Sequence, residues 1–168
     1  LELGGKNAMV ICDDADIDQA VHWTSLSAFS NAGQRCAATS RILVFEKIYH
    51  EFVSKLILKA KALKLGTDEG SNLGPVINHR QFSNILSIIN ACSETEGTIL
   101  CGGKAPRDSK LRKGWYIEPT LIEIVDEHCS INKKELFGPV ASIQKVTDLK
   151  QALSIANNSE FGLTAAIH

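Results

Sequence analysis

The chain is expected to fold as one α/β domain, a parallel or mixed sheet flanked by helices. Three observations lead there. Short apolar runs rich in β-branched residues alternate with amphipathic stretches long enough for helices, the pattern that builds crossovers covering a sheet on both faces. The 168 residues suffice for one ordinary domain with a real core and are too few for two comfortable ones. Apolar residues make up 44% and charged residues 22%, the balance of a globular chain rather than a disordered one.

The elements follow in order. Residues 8–12 form a short apolar run, and Asp13 and Asp14 are candidate N-caps for a helix over 15–32 carrying Ile17, Val21, Leu26 and Phe29. Residues 41–45 read as a strand. Over 49–65, Phe52, Val53, Leu56, Ile57, Ala60 and Leu63 fall on one helical stripe closed by Gly66. Residues 67–75 are turn-rich, and Asn78 begins a helix with Phe82, Ile85, Leu86, Ile89 and Cys92, ending before Gly97. Residues 98–101 read as a strand stopped by Gly102-Gly103. The basic stretch 106–114 is expected to be a solvated loop rather than a binding patch. Residues 115–125 and 140–146 read as strands, Asp148 as the cap of a helix reaching 157, and the segment from 163 onward as a last strand. There is no internal repeat, and the strand order stays open. Both ends fall inside motif-like or apolar runs, as expected of a piece cut from a longer polypeptide.

Several function classes are excluded. Eighteen Lys and Arg against nineteen Asp and Glu leave a net charge of −1, so no bulk field draws in nucleic acid or an anionic membrane. No apolar run is long enough for a membrane span and the start does not resemble a signal peptide, which points to a cytoplasmic chain. The five cysteines, Cys12, Cys36, Cys92, Cys101 and Cys129, are scattered and form no C-x-x-C, so neither a disulfide framework nor a metal site is expected. Gly5-Lys6 and Gly103-Lys104 are followed by Asn7 and Ala105, where a phosphate loop needs Ser or Thr. His50-Glu51 begins a zinc-helix motif, but Ser54 stands at its second histidine position. No G-x-G-x-x-G occurs, so the chain carries no dinucleotide fingerprint of its own.

What remains is Cys36, in Asn31-Ala32-Gly33-Gln34-Arg35-Cys36, between a predicted helix and a predicted strand. A thiol on a glycine-containing loop can be approached by a substrate, and Arg35 and nearby backbone N–H groups favour its thiolate. A lone cysteine at such a junction is more often structural, and a lone Glu2 is usually just solvated. Their surroundings change that balance. Glu2-Leu3-Gly4-Gly5-Lys6, then Gly33-Gln34-Arg35-Cys36, then Glu135-Leu136-Phe137-Gly138-Pro139-Val140 closely resemble the three signature stretches of the aldehyde dehydrogenase superfamily. Gly74-Pro75, Gly102-Gly103, residues 114–120 and Asn157 to Leu163 agree with it in order, so the resemblance covers the whole chain.

The resemblance implies oxidation of a small-molecule aldehyde to an acid with NAD or NADP as cofactor. Cys36 is then the nucleophile, forming a thiohemiacetal and afterwards a thioester, and Glu2 is the base that activates water, with burial raising its basicity. The Cys36 N–H is half of an oxyanion hole whose Asn lies upstream of residue 1. Glu135 is expected to bond the nicotinamide ribose, Phe137 to pack near the nicotinamide ring, the Leu3 and Gly4 backbone to lie against it, and Gln81 to reach the adenosine-side ribose. Phe29 and Arg35 flank the nucleophile as candidate substrate-lining residues. Core packing for Phe29 and a structural ion pair for Arg35 are the alternatives. The Rossmann-type coenzyme domain of the family is missing from this chain, which is expected to be nearly inactive alone and part of a homo-oligomer when complete. A coenzyme A-acylating relative is disfavoured by Glu2, and a truncated, non-catalytic binding or structural protein is the other alternative.

Overall fold

In the computed structural model, which describes residues 1–95, 97–125 and 129–168, six strands form one mixed sheet flanked by helices. The order along the chain is β1 (Asn7–Ile11), α1 (Ile17–Phe29), β2 (Thr39–Phe45), α2 (Tyr49–Lys61), α3 (His79–Thr95), β3 (Gly97–Cys101), β4 (Thr120–Ile124), α4 (Ser130–Lys133), β5 (Val140–Val146), α5 (Leu149–Asn157) and β6 (Ala165–Ile167). Across the sheet the order is β3-β4-β5-β2-β1-β6. Only β3 runs antiparallel to its neighbour; the other pairings are parallel.

Side-chain alternation distributes the core over both faces. Met9 and Ile11 with Ile42 and Val44 pack under α1 and α2, against Val21, Phe29, Phe52 and Leu56. Ala8, Val10 and Leu43 point the other way, onto Ala152 and Ile155 of α5. A third cluster joins Ile85 and Ile89 of α3 to Ile122, Ile131, Leu136 and Val140.

Boundaries move where local chemistry decides them. The cap of α1 is Asp16, whose Oδ1 accepts from Gln19 N–H at 3.0 Å, rather than Asp13 or Asp14. That helix ends at Phe29, not residue 32, because Asn31, Ala32 and Gly33 adopt φ of 54°, 54° and 66°, which no right-handed helix accommodates. Similarly α2 stops at Lys61, and Gly66 N–H bonds the Leu73 carbonyl at 2.9 Å beside a Leu65–Leu73 bridge, so residues 63–65 lie outside the helix. The predicted strand 115–125 shrinks to β4, since Pro119 has no N–H to pair and residues 115 and 118 bond to Val76 and Lys104 instead. Residues 109–113 of the basic loop make one short 3-10 turn with no buried side chain, in keeping with a solvated connection.

Because β5, β2 and β1 are adjacent and parallel, their N-terminal ends share one edge of the sheet. The segments that lead into them, 135–139, 33–38 and 2–6, therefore meet there. Arg41 fastens this edge from below. Its buried guanidinium donates to the Lys6 carbonyl at 2.9 Å and to the Ile155 and Ala156 carbonyls at 2.9 and 2.8 Å, tying β1 and the C-terminus of α5 to β2. A cation at a helix C-terminus also complements its dipole.

Candidate active site

The site is built where those three segments converge. Asn7, the first residue of β1, donates from Nδ2 to the Cys36 and Ala38 carbonyls at 2.7 and 2.9 Å, while its Oδ1 accepts from Thr164 N–H at 3.1 Å. One side chain thus fixes the Cys36 turn against the start of β1 and the approach to β6. Gly5 lies so close that a Cβ there would stand 2.2 Å from the Cys36 carbonyl oxygen. The thiol itself is exposed. The turn around it closes with Ala38 N–H to the Arg35 carbonyl at 3.0 Å, and the Cys36 N–H donates to no acceptor among the described residues. A free N–H beside an exposed nucleophile is available to a developing oxyanion.

The third segment docks on the first. Glu135 accepts from Gly5 N–H at 2.9 Å, and a Cβ on Gly4 would be 2.9 Å from its other carboxylate oxygen and 2.8 Å from the Phe161 ring. Phe137 takes a left-handed φ of 50°, with its side chain 41% exposed. Next to it Gly138 meets Gly33, where a Cβ would lie 2.1 Å from the Gly138 oxygen. Glu135, Phe137, Gly4 and Cys36 are therefore held as one surface on the sheet edge.

Other candidate residues sit differently. Leu3 and Glu2 are exposed, so the burial expected around Glu2 is not supplied by residues of this chain. Gln81 donates from Nε2 to the Leu136 carbonyl, which makes it a brace for the 135–138 loop, a task the sequence reading had not assigned. Phe29, the last residue of α1, is 1% exposed in the core and borders a cavity of about 380 Å³ lined by His22, Ser25, Leu26 and Leu73 rather than by Cys36. Arg35 donates to the Ser27 carbonyl at 3.1 Å and joins no ion pair among the described residues. Sequence reasoning missed Asn7 and Lys6. A polar residue opening an otherwise apolar strand was the available signal for Asn7, while Lys6 stood inside a signature stretch with no role assigned to it.

Lys6 is buried beside the Gly5–Glu135 contact, and burial lowers its ammonium from 10.5 to about 7. The Arg41 charge pushes the same way, while Glu135 and Cys129 oppose it. In the unfolded chain the lysine keeps its proton up to roughly pH 10.4, so between about 7 and that value the unfolded state binds more protons and stability rises with pH. From pH 7 to 10 this contribution amounts to something on the order of 4 kcal/mol. Urea unfolding of wild type and Lys6→Met at several pH values checks it. The wild type should gain on the variant as pH rises, and parallel curves would show that Lys6 keeps its proton when folded.

Comparison with known proteins agrees with the geometry. The sequence matches the Aldehyde dehydrogenase family over residues 1–168. It is 41% identical over 99% of its length to the chloroplastic betaine aldehyde dehydrogenase of Beta vulgaris, of which it covers 33%. It is 40% identical to the mitochondrial aldehyde dehydrogenase of Leishmania tarentolae, with the same coverage of each. Betaine aldehyde dehydrogenase of Staphylococcus aureus, solved with NAD+, superposes with a TM-score of 0.96 at 38% identity, over 99% of this chain and 34% of that one. A 3,6-anhydro-L-galactose dehydrogenase solved with NADP gives 0.96 at 32% identity, over 99% and 35%. The chain thus spans about a third of the length of these relatives. With the family matched from first residue to last and the three signature stretches gathered on one sheet edge, the chain belongs to the aldehyde dehydrogenase family.

Proposed function

We propose that this chain is the catalytic portion of an NAD(P)-dependent dehydrogenase that oxidises a small aldehyde to a carboxylic acid through a covalent Cys36 intermediate. The observation that carries the reading is the exposed Cys36 thiol beside its own unbonded N–H, on a turn held by Asn7 and Gly5. Relatives named as betaine aldehyde dehydrogenases, one of them solved with NAD+, support it.

The nicotinamide end of a dinucleotide suits the surface described above. The flat, exposed Phe137 ring supplies apolar contact, Glu135 is an acceptor for a ribose hydroxyl, and the Gly4 peptide is accessible without a side chain. The bound cofactor would supply a hydride acceptor. Cys36 adds as thiolate to the aldehyde carbon, and its N–H donates to the oxygen on which charge develops. Loss of hydride from that carbon leaves a thioester on Cys36. Glu2 then takes a proton from water as the water adds to the thioester carbonyl, and Cys36 departs as thiolate with the acid released. Glu2 projects from this chain into solvent, so the remainder of the polypeptide must supply the desolvation that makes it a better base.

The experiment is Glu2→Gln in the full-length polypeptide. Acylation should persist, giving a burst of about one NADH per Cys36, while the following turnover falls by roughly 10²- to 10⁴-fold. Turnover equal to wild type removes Glu2 from the reaction, and failure of any aldehyde to yield NADH removes the dehydrogenase reading.

A further inference from the structure

We infer that Cys92 and Cys129 form a dithiol that a peroxide converts reversibly into a disulfide, stapling α3 to the start of α4. Their sulfurs lie 3.6 Å apart, near enough for one S–H to donate to the other sulfur. Cys92 is in the last turn of α3 and Cys129 immediately precedes α4, 37 positions along the sequence. Both are 1% exposed, within the cluster that includes Ile85, Ile89, Ile122, Ile131 and Leu136. A bond of about 2.0 Å requires the sulfurs to approach by roughly 1.6 Å, a movement shared between two side chains each turning about its own χ1. Both residues lie well inside the chain, so the contact needs neither terminus.

Lys6 makes Cys129 the attacking sulfur. The Cys129 thiolate favours the charged form of Lys6, and by the reciprocity of a charge pair the ammonium favours the thiolate, which burial otherwise resists. Arg41 and Glu135 are the other charges acting on Lys6. The thiolate attacks one peroxide oxygen and the O–O bond breaks. The departing hydroxide takes up the proton that Cys129 released, giving water, and the sulfur becomes a sulfenic acid. Cys92 then bonds to that sulfur, and its proton leaves with the hydroxyl group as a second water. The two thiols give up two electrons in all, and both go to the peroxide. Because the pair is buried, the oxidant enters as the last turn of α3 opens, which makes the reaction slow. The helices so joined support the 135–138 loop, since Gln81 of α3 donates to the Leu136 carbonyl and α4 runs toward Glu135. Neither thiol takes part in aldehyde oxidation, so the inference stands apart from the dehydrogenase reading.

The test is treatment of the full-length polypeptide with a small molar excess of hydrogen peroxide, well beyond the time that consumes the exposed Cys36 thiol. Remaining thiols are alkylated with N-ethylmaleimide in denaturant and the peptides mapped without reductant. The expected result is a peptide pair joined through Cys92 and Cys129 that holds most of both residues and separates on adding dithiothreitol. The oxidised protein is also unfolded in urea before and after dithiothreitol. The wild-type midpoint should fall on reduction, because the bond closes a loop spanning 37 positions in the unfolded chain. It should not move in Cys92→Ala or Cys129→Ala, and either variant serves if the other fails to fold. Recovery of both residues as alkylated thiols, their conversion to sulfinic acids, pairing of either with Cys36 or Cys101, or a wild-type midpoint unchanged by reduction would overturn the proposal.

Discussion

Replacing Cys36 by alanine is expected to lower aldehyde-dependent reduction of NAD(P) by the full-length polypeptide by roughly four orders of magnitude or more, the scale on which nucleophile removal acts in enzymes with a covalent intermediate. The other thiols offer no substitute. Cys92, Cys101 and Cys129 are buried. Burial pushes the Cys101 thiol up, and burial with the charges of Asp14 and Asp13 does the same for Cys12, so neither forms thiolate readily. Because the Cys36 side chain is exposed and its turn is held at the backbone carbonyl by the Asn7 side-chain amide, with Gly5 packed closely against it, alanine should leave the fold intact. The kinetic constants and the thermal unfolding midpoint are measured together. Loss of activity with an unchanged midpoint is the expected pair, whereas retained activity would show that Cys36 is structural.

Gly33→Ala should act through the opposite route, destabilising the fold without touching a reacting group. Gly33 has a φ of 66°, and a Cβ on it would lie 2.1 Å from the Gly138 oxygen and 2.6 Å from the Gly138 carbonyl carbon. The first feature costs about 1 to 2 kcal/mol for an L-residue. The second forces apart two backbone segments with no flexible end to yield, at roughly 1 to 3 kcal/mol more. A loss of about 2 to 5 kcal/mol in urea unfolding is therefore expected, with the Cys36 and Glu135–Phe137 loops separating. Gly74→Ala is the control, since nothing lies within 4 Å of its Cβ and its φ is ordinary; it should stay within about 0.5 kcal/mol.

These two positions also show what was legible in the sequence. The α/β class followed from periodicity, because strands such as β1 are buried on both faces and read as short apolar runs between amphipathic helices. The loops that gather at the sheet edge were found by their resemblance to a family and not by physics. Composition gives no reason for residues 2–6, 33–38 and 135–139 to meet, since strand order decides that and crossover patterns leave it open. Helix ends were misjudged where the chain turns left-handed, as at Asn31 and Ala32, since neither residue type announces that conformation the way glycine does. Pro119 did announce its effect, and the strand over 115–125 was read through it. Asn7 and Lys6 escaped because their partners are distant in sequence, Cys36, Ala38 and Thr164 for one and Glu135 for the other. Gln81 was assigned to a ligand, while its hydrogen bond runs to the Leu136 carbonyl, a contact no local pattern encodes.

The central claim is that the aldehyde carbon becomes covalently attached to Cys36. Its direct test is the mass of the Glu2→Gln polypeptide quenched in acid within a turnover of adding aldehyde and NAD+, followed by peptide mapping. The account predicts an acyl group in thioester linkage on the peptide containing Cys36, removed by hydroxylamine and absent when NAD+ is withheld. An unmodified Cys36 peptide while NADH is being formed, or an acyl group on another residue, would contradict it.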